Sequence, residues 1–464
     1  MHVILRESVP FRAAAFREGK TERTTRILDE ELWGLLERNW PDCQDLVLML
    51  KKTGSASVTA EWALLKPIIT TGASELRNQN QEFQMNRIVL SLFIILLGCQ
   101  QNTSQVEKQS PSTQDYSDWH ERALFLAGLP TSRAFQERPD IAKILKLPHY
   151  QDHVRQMNAF WTSVDRKRVA PMTAWWRAEL SPRMDGIKTD TALYPLSGGD
   201  LLNFKLIYPD AKRYVMIAME KPGRMPDPSS MTDPQLQEGL YSVRKMLGNI
   251  ALTGYFFSRW MNWYMNPEKY GFFGTLPTVS VFLVRLGHRI ETVDQTCVNE
   301  EGKLVTESVN PCYLPGYRIG FMDGNTGEEK ELFYHSTRID NALFSDSTAR
   351  GRYIHSLGNV AVMMKAAVYL FHRSAHQEGA RYLLEHSEVI VQDDSGIPYR
   401  SFKPDQWDIT LYGTYRYPLP GMGVYPQQDL IRAYSQGSEH LPFAYGYGPK
   451  TAAKASGLMV AFSK

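Results

Sequence analysis

The chain reads as an α+β protein, a mixed and mostly antiparallel sheet packed with two long amphipathic helices. Three observations predict it. Short runs rich in β-branched and aromatic residues lie between turn residues over 191–222, 276–337 and 390–464. Two long stretches, 233–264 and 352–372, repeat apolar residues at helical spacing. Strands and helices do not alternate regularly, which favours α+β over a doubly wound sheet.

The elements follow in order. Val154, Met157, Trp161 and Val164 recur at helical spacing and predict a helix over 149–166. Strands are expected at 205–207 and 213–220, with Tyr208-Pro209-Asp210 turning between them. Ser197-Gly198-Gly199-Asp200 is a glycine turn carrying two polar side chains. A long helix then starts at Asp233, a capping residue, with Pro234 at the first helical position. Its apolar face runs from Leu236 through Leu240, Val243, Leu247 and Ile250 to Tyr264.

Residues 276–337 have the character of an antiparallel meander. Strands are expected at 279–286, 288–298, 317–321 and 331–335, the last two flanking the turn Asp323-Gly324-Asn325. The second long helix, 352–372, places Ile354, Leu357, Ala361, Met364, Val368 and Phe371 on one side. A shorter helix over 378–386 follows, then the turn Asp393-Asp394-Ser395-Gly396 and strands over 407–415 and 457–462. No internal repeat is visible.

With 464 residues, 43% of them hydrophobic, the chain can bury a large core. The 52 Lys and Arg nearly cancel the 50 Asp and Glu, so no basic excess points to nucleic acid and none is expected as a partner. HExxH, GxSxG, the dinucleotide GxGxxG and the calcium loop are all missing. Gly446-Tyr447-Gly448-Pro449-Lys450-Thr451 has the wrong glycine spacing for a phosphate loop.

Candidate site residues are few. Asp393 and Asp394, with Asp200 from another turn, offer carboxylates for general acid–base work, set against ordinary turn chemistry. Ser197 and Ser395 are hydroxyls with no base paired to them in sequence. His372 and His376 stand four apart and would share a helix face for a metal, or else serve as surface or cap residues. Trp260, Trp263 and Tyr264 offer faces for a sugar ring, or core. No cofactor is expected. Cys297 and Cys312 form an even pair, either a disulfide or two free thiols.

Residues 85–99 read MNRIVLSLFIILLGC: a methionine, one arginine, a ten-residue run from Ile88 to Leu97 that is apolar except for Ser91, then Gly98-Cys99. Ten helical residues span about 15 Å, half the ~30 Å hydrocarbon core, so the run suits a signal peptide rather than a permanent span. Leu96-Leu97-Gly98-Cys99 resembles the lipobox of bacterial lipoproteins. The resemblance implies cleavage after Gly98, palmitate-type acylation at Cys99, anchorage in the membrane through that residue and, with Gln100 and Gln101 following, sorting to the outer membrane. Leu97 departs from the Ala or Ser usual in that motif. Around residues 194–220 and 392–429 the chain is also similar to a group of exported bacterial proteins with no assigned activity.

The expected organisation is a non-native extension over 1–84 (with a possible lone amphipathic helix over 27–40), a signal peptide over 85–98, a polar tether over 99–117 and a globular α+β domain over 118–464. The expected role is a lipid-anchored cell-envelope protein that binds a ligand, a protein or a saccharide. The alternative is a periplasmic hydrolase using carboxylates in glycine-rich turns.

Overall fold

The computed structural model describes residues 118–253, 274–306, 309–419, 422–447 and 456–464. The extension, signal peptide, Cys99, the tether, Trp260, Trp263, Tyr264 and residues 448–451 lie outside the described residues. The mixed α+β class is the observed one. Ten strands form one sheet: β1 (Thr191–Pro195), β2 (Arg213–Ala218), β3 (Arg289–Val298), β4 (Leu304–Val305), β5 (Leu314–Met322), β6 (Glu329–Ser336), β7 (Val360–Met364), β8 (Ser387–Gln392), β9 (Trp407–Gly413) and β10 (Gly457–Ser463). Their spatial order is β4-β3-β5-β6-β2-β1-β7-β8-β10-β9.

Antiparallel pairings dominate both flanks, with β3, β4 and β5 on one side and β10 and β9 on the other. The middle is different. β6, β2, β1, β7 and β8 are mutually parallel. Numbered by their appearance along the chain, these five stand in the order 3-2-1-4-5. That is the arrangement of a doubly wound centre, with the strand order reversing between β1 and β7. The α+β reading describes the whole sheet; it did not distinguish this parallel core.

Two helical layers cover the two faces. Ala192, Tyr194, Tyr214, Met216 and Met363 belong to one core with the helices Trp119–Leu126, Pro148–Val164, Leu201–Ile207, Asp233–Gly248 and Leu276–Arg285. Leu193, Val215, Ile217, Val362 and Met364 belong to the other, with Ala349–Ser356, Gln377–His386 and Gln428–Gln436. Successive strand residues therefore point into opposite cores, as the pleat requires. Among the described residues, no helix is long and apolar enough to cross a membrane.

Three expected elements are exchanged. Residues 279–286, expected as a strand, lie mainly in the helix Leu276–Arg285, whose residues from Leu276 to Val284 are all buried. Lys205–Ile207 ends the helix Leu201–Ile207 instead of forming a strand. The long helix expected over 352–372 divides into the helix Ala349–Ser356, the strand β7 and the short 3-10 turn Leu370–His372. Gly358, at φ +68°, makes the break. A short, continuous apolar run has the same appearance as a buried strand or a buried helix segment, and tertiary burial decided these cases.

The long helix starts one residue earlier than expected: Thr232, not Asp233, is the N-cap, in a capping box with Gln235, and Asp233 and Pro234 are the first two helical residues. After Gly248 it continues as a π-helical segment, Asn249–Thr253. Cys297 and Cys312 are disulfide-bonded, with Cα atoms 5.6 Å apart.

Candidate functional site

Residues that leave the carboxyl ends of β1, β7 and β8 converge where the strand order reverses. In open α/β sheets that crevice is where ligands bind. The sequence-level candidates Asp200, Asp393 and Asp394 all belong to it, on the turns that follow β1 and β8.

The β1 turn is built first. Leu196 (φ +63°) and Gly198 (φ +51°) adopt left-handed backbone, and Ser197 N–H donates to Ile217 O of β2 at 3.0 Å. Asp200 then caps the helix Leu201–Ile207. Its carboxylate accepts from Asn203 N–H at 3.3 Å and Asn203 Nδ2 at 2.7 Å. It also pairs with Lys365 Nζ, which comes from the end of β7. Tyr194 OH donates to Asp200 at 3.4 Å. Both members of the ion pair are buried, with side-chain exposures of 2% and 1%. Desolvation pulls the Lys365 ammonium below its usual value, while Asp200 opposes that shift.

Asp200 is therefore a neutralised carboxylate and not a free base. Arg168 lies near it, held by Nε on Ala251 O at 3.2 Å and by Nη1 on Ala444 O. Arg168 and Ala251 sit in two π-helical segments, Asp165–Val169 and Asn249–Thr253, which meet at this bond. Single π turns inside α-helices recur at functional sites.

Asp393 has several partners. It accepts from Ala366 N–H and Ser395 N–H, each at 3.0 Å, and from the Ser395 hydroxyl. Gly446, at φ +61°, sits so close that a Cβ there would collide with this carboxylate. The turn chemistry weighed in the sequence is thus the role of Asp393 and Ser395. Asp394 is different. Its carboxylate accepts from Tyr369 OH at 2.8 Å, and Tyr369 OH in turn accepts from Leu419 N–H at 2.7 Å. Burial first, and then the neighbouring Asp393 charge, push the Asp394 carboxyl up to about 8. It lines a pocket with Gln392, Tyr399, Tyr415, Gln427 and Tyr434, whose free volume of about 10 Å³ has room for roughly one water.

Asp394→Asn tests that proton. A carboxyl with a folded value near 8 and an unfolded value near 3.9 contributes stability below pH 4, and this is lost as pH rises towards 8. Asparagine cannot ionise and still accepts from Tyr369. The variant is expected to exceed wild type in stability at pH 9 by about 1–3 kcal/mol, with the two curves converging near pH 4. Chemical denaturation at both pH values measures it.

Backbone strain gathers at the same place. Among the described residues, the four non-glycine residues with positive φ are Leu196, Ala366, Val368 and Tyr369. One follows β1 and three follow β7. Left-handed backbone costs an ordinary residue ~1–2 kcal/mol, and a β-branched residue such as Val368 is rarely found there. Side chains hold the segment in place: Asp393 takes Ala366 N–H, Ser395 Oγ takes Ala367 N–H at 2.7 Å and Tyr447 OH takes Val368 N–H at 3.2 Å. Ala366→Gly relieves the strain and removes only a methyl group, so it should stabilise the protein by about 1 kcal/mol. A rise in urea midpoint at constant slope is the expected readout.

His372 and His376 do not share a helix face. They end two separate 3-10 turns, Leu370–His372 and Ser374–His376, which removes the i,i+4 geometry on which a shared metal depended. No group of three or more His, Cys, Asp or Glu residues suited to a metal is found among the described residues.

A second buried charge cluster has no signal in the sequence. Asp323 pairs with Lys205 at 2.6 Å and with Lys330 at 3.1 Å, while both ammonium groups also donate to Pro209 O. It lies at the opposite, amino end of β2 and β6, and its polar groups partner one another. It ties the 208–210 turn to the sheet. The Lys365–Asp200 pair and Arg168 were likewise missed, because their partners are 165 or more positions apart or are backbone carbonyls.

Comparison with known proteins finds no matching family model, no matching curated protein and no matching solved structure.

Proposed function

We propose that this is a lipid-anchored cell-envelope protein whose folded body binds a small ligand in the crevice between the carboxyl ends of β1 and β7. One observation carries the binding role. The strained non-glycine residues, the glycine turn and the buried Asp200–Lys365 pair coincide at the one place where the strand order reverses. Strain of this kind persists only where the surrounding structure over-determines it, and it clusters at ligand clamps and active sites.

Anchorage is supported by Leu96-Leu97-Gly98-Cys99 and by the Cys297–Cys312 disulfide, a bond characteristic of oxidising compartments outside the cytoplasm. Acyl chains on Cys99 contribute ~0.8 kcal/mol per buried methylene, and two or more make the attachment stable. Expression from Met85 with a labelled fatty acid tests it. Label and membrane recovery are expected for wild type and lost in Cys99→Ala. Unlabelled, soluble protein in both would reject anchorage.

The hydrolase alternative keeps one specific support. Burial pushes both Asp393 and Asp394 up, and Asp394, with the Asp393 charge as a second cause, reaches about 8; a carboxyl kept protonated near neutral pH is what a general acid requires. In that reading Asp394 is the acid. Asp200, already paired to Lys365, takes no part in proton transfer.

A further inference from the structure

We propose that the sheet edge carrying the carboxyl ends of β1 and β7 docks on an anionic lipid bilayer, with a row of cations facing the headgroups. This rests on the reading of the chain as lipid-anchored, which keeps the folded body near a bilayer. β9 is antiparallel to β10, and β10 to β8, so β9 runs in the direction of the parallel centre. The segments 219–227, 337–340, 365–376, 393–401 and 414–427 follow β2, β6, β7, β8 and β9, and all leave one edge. Every exposed charged side chain among their described residues is a cation: Lys221, Arg224, Arg338, Arg373, Arg400 and Arg416. Their carboxylates are withdrawn. Glu220 and Asp393 are buried, Asp394 accepts from Tyr369 OH, and Asp227 and Asp340 pair with Arg122 and Arg350. In a chain with 52 Lys and Arg against 50 Asp and Glu, this is segregation rather than composition.

The pattern suits a surface rather than a single small anion. Neighbouring strands lie about 4.8 Å apart, so the row from β6 to β9 spans roughly 30 Å. A free phosphate would meet one or two of these cations; a layer of headgroups meets them all. Lys221, Arg338, Arg373, Arg400 and Arg416 are in no ion pair among the described residues, so docking displaces no partner within the body. Exposed carboxylates on this edge stand towards its ends. Glu300, Glu301 and Asp346 lie beyond β3, where Arg352 donates to the Glu300 and Asp346 carbonyls, and Glu439 lies beside β9. Exposed apolar side chains are interleaved with the cations. Met219 is 50% exposed, Tyr417 45% and Tyr425 91%. Tyrosine, with an apolar ring and a polar tip, is favoured at the membrane–water interface. Each basic residue close to an anionic lipid surface contributes about fivefold in affinity.

The test places the full chain and its Cys99→Ala form on vesicles of phosphatidylcholine, alone or mixed with phosphatidylglycerol, and reads hydroxyl-radical labelling of tyrosines. Phosphatidylglycerol is expected to cut labelling of Tyr417 and Tyr425 at least about threefold in both forms. High salt should restore it in Cys99→Ala. Tyr241, exposed on the helix Asp233–Gly248, should label equally throughout. Arg373→Gln, Arg400→Gln and Arg416→Gln together should weaken the phosphatidylglycerol-dependent binding of Cys99→Ala about a hundredfold, at unchanged melting temperature. Equal labelling of Tyr417 and Tyr425 on the two vesicle types overturns the proposal, as does binding that the triple variant leaves intact. Fatty-acid label at Cys99 would then leave anchorage standing alone. Protection of both tyrosines without label at Cys99 keeps the docking surface and removes the anchor. Equal protection by soluble dextran sulfate would assign the edge to polyanions at large and overturn the bilayer as its occupant.

Discussion

Lys365→Met destabilises the protein by about 3–5 kcal/mol, the usual consequence of leaving one buried charge unpaired. Asp200 would keep Tyr194 and Asn203 as neutral donors but would have lost its ion-pair partner. Total stabilities of folded domains are roughly 5–15 kcal/mol, so the variant sits near the edge of folding. The double variant Asp200→Asn with Lys365→Met removes both charges and is expected to recover most of the loss, because an uncharged pair has no desolvation cost to offset. Equilibrium denaturation of the four proteins gives the coupling directly. A double variant no more stable than Lys365→Met would mean that the charges are not what the pair contributes. If the crevice is a ligand site, the recovered double variant folds but binds poorly.

Acid is expected to unfold the protein well above the range where carboxylates titrate. His153 is the reason with the clearest geometry. Its Nε2 faces Leu126 O at 2.9 Å and its Nδ1 faces Arg244 Nη1 at 2.7 Å, so the neutral ring donates to the carbonyl and accepts from the guanidinium. Burial first, and then the Arg244 charge, hold its proton affinity down at about 3. His288, His335 and His372 are each lowered to about 4, chiefly by burial. The unfolded chain takes up these protons near pH 6.5 and the folded chain does not. Stability is therefore complete above pH 6.5 and drains away as pH falls towards 3–4. His153 alone accounts for about 3–5 kcal/mol across that window. His153→Gln offers the same donor and acceptor without a titrating ring, and it should move the acid midpoint down by about half a pH unit or more. An unmoved midpoint would assign acid sensitivity to other groups.

Much of the fold was legible residue by residue. Asp233-Pro234 marks the long helix start to within one residue of its cap, Asp323-Gly324-Asn325 marks the β5–β6 turn, and the pattern over 288–298 marks β3, because each signal is local. What could not be read was the parallel centre. β7 is five buried apolar residues, Val360–Met364, next to a real helix, and Leu276–Arg285 is a helix rich in valine; continuous burial erases the period that separates the two. The site was legible in part for the same reason. Asp200, Asp393 and Asp394 stand in recognisable turns, whereas Lys365 and Arg168 enter only through strand order. Once β1 and β7 are neighbours, residues 165 positions apart become an ion pair.

The most direct measurement is amide hydrogen exchange on the full chain, with and without the small-molecule fraction of the cell envelope. The account predicts slower exchange over 196–200 and 365–369, the two strained turns of the crevice, and no comparable change over 205–210 and 323–330 at the opposite end of the sheet. Protection confined to that opposite end, or none over 196–200 and 365–369, would contradict the assignment of the crevice as the ligand site.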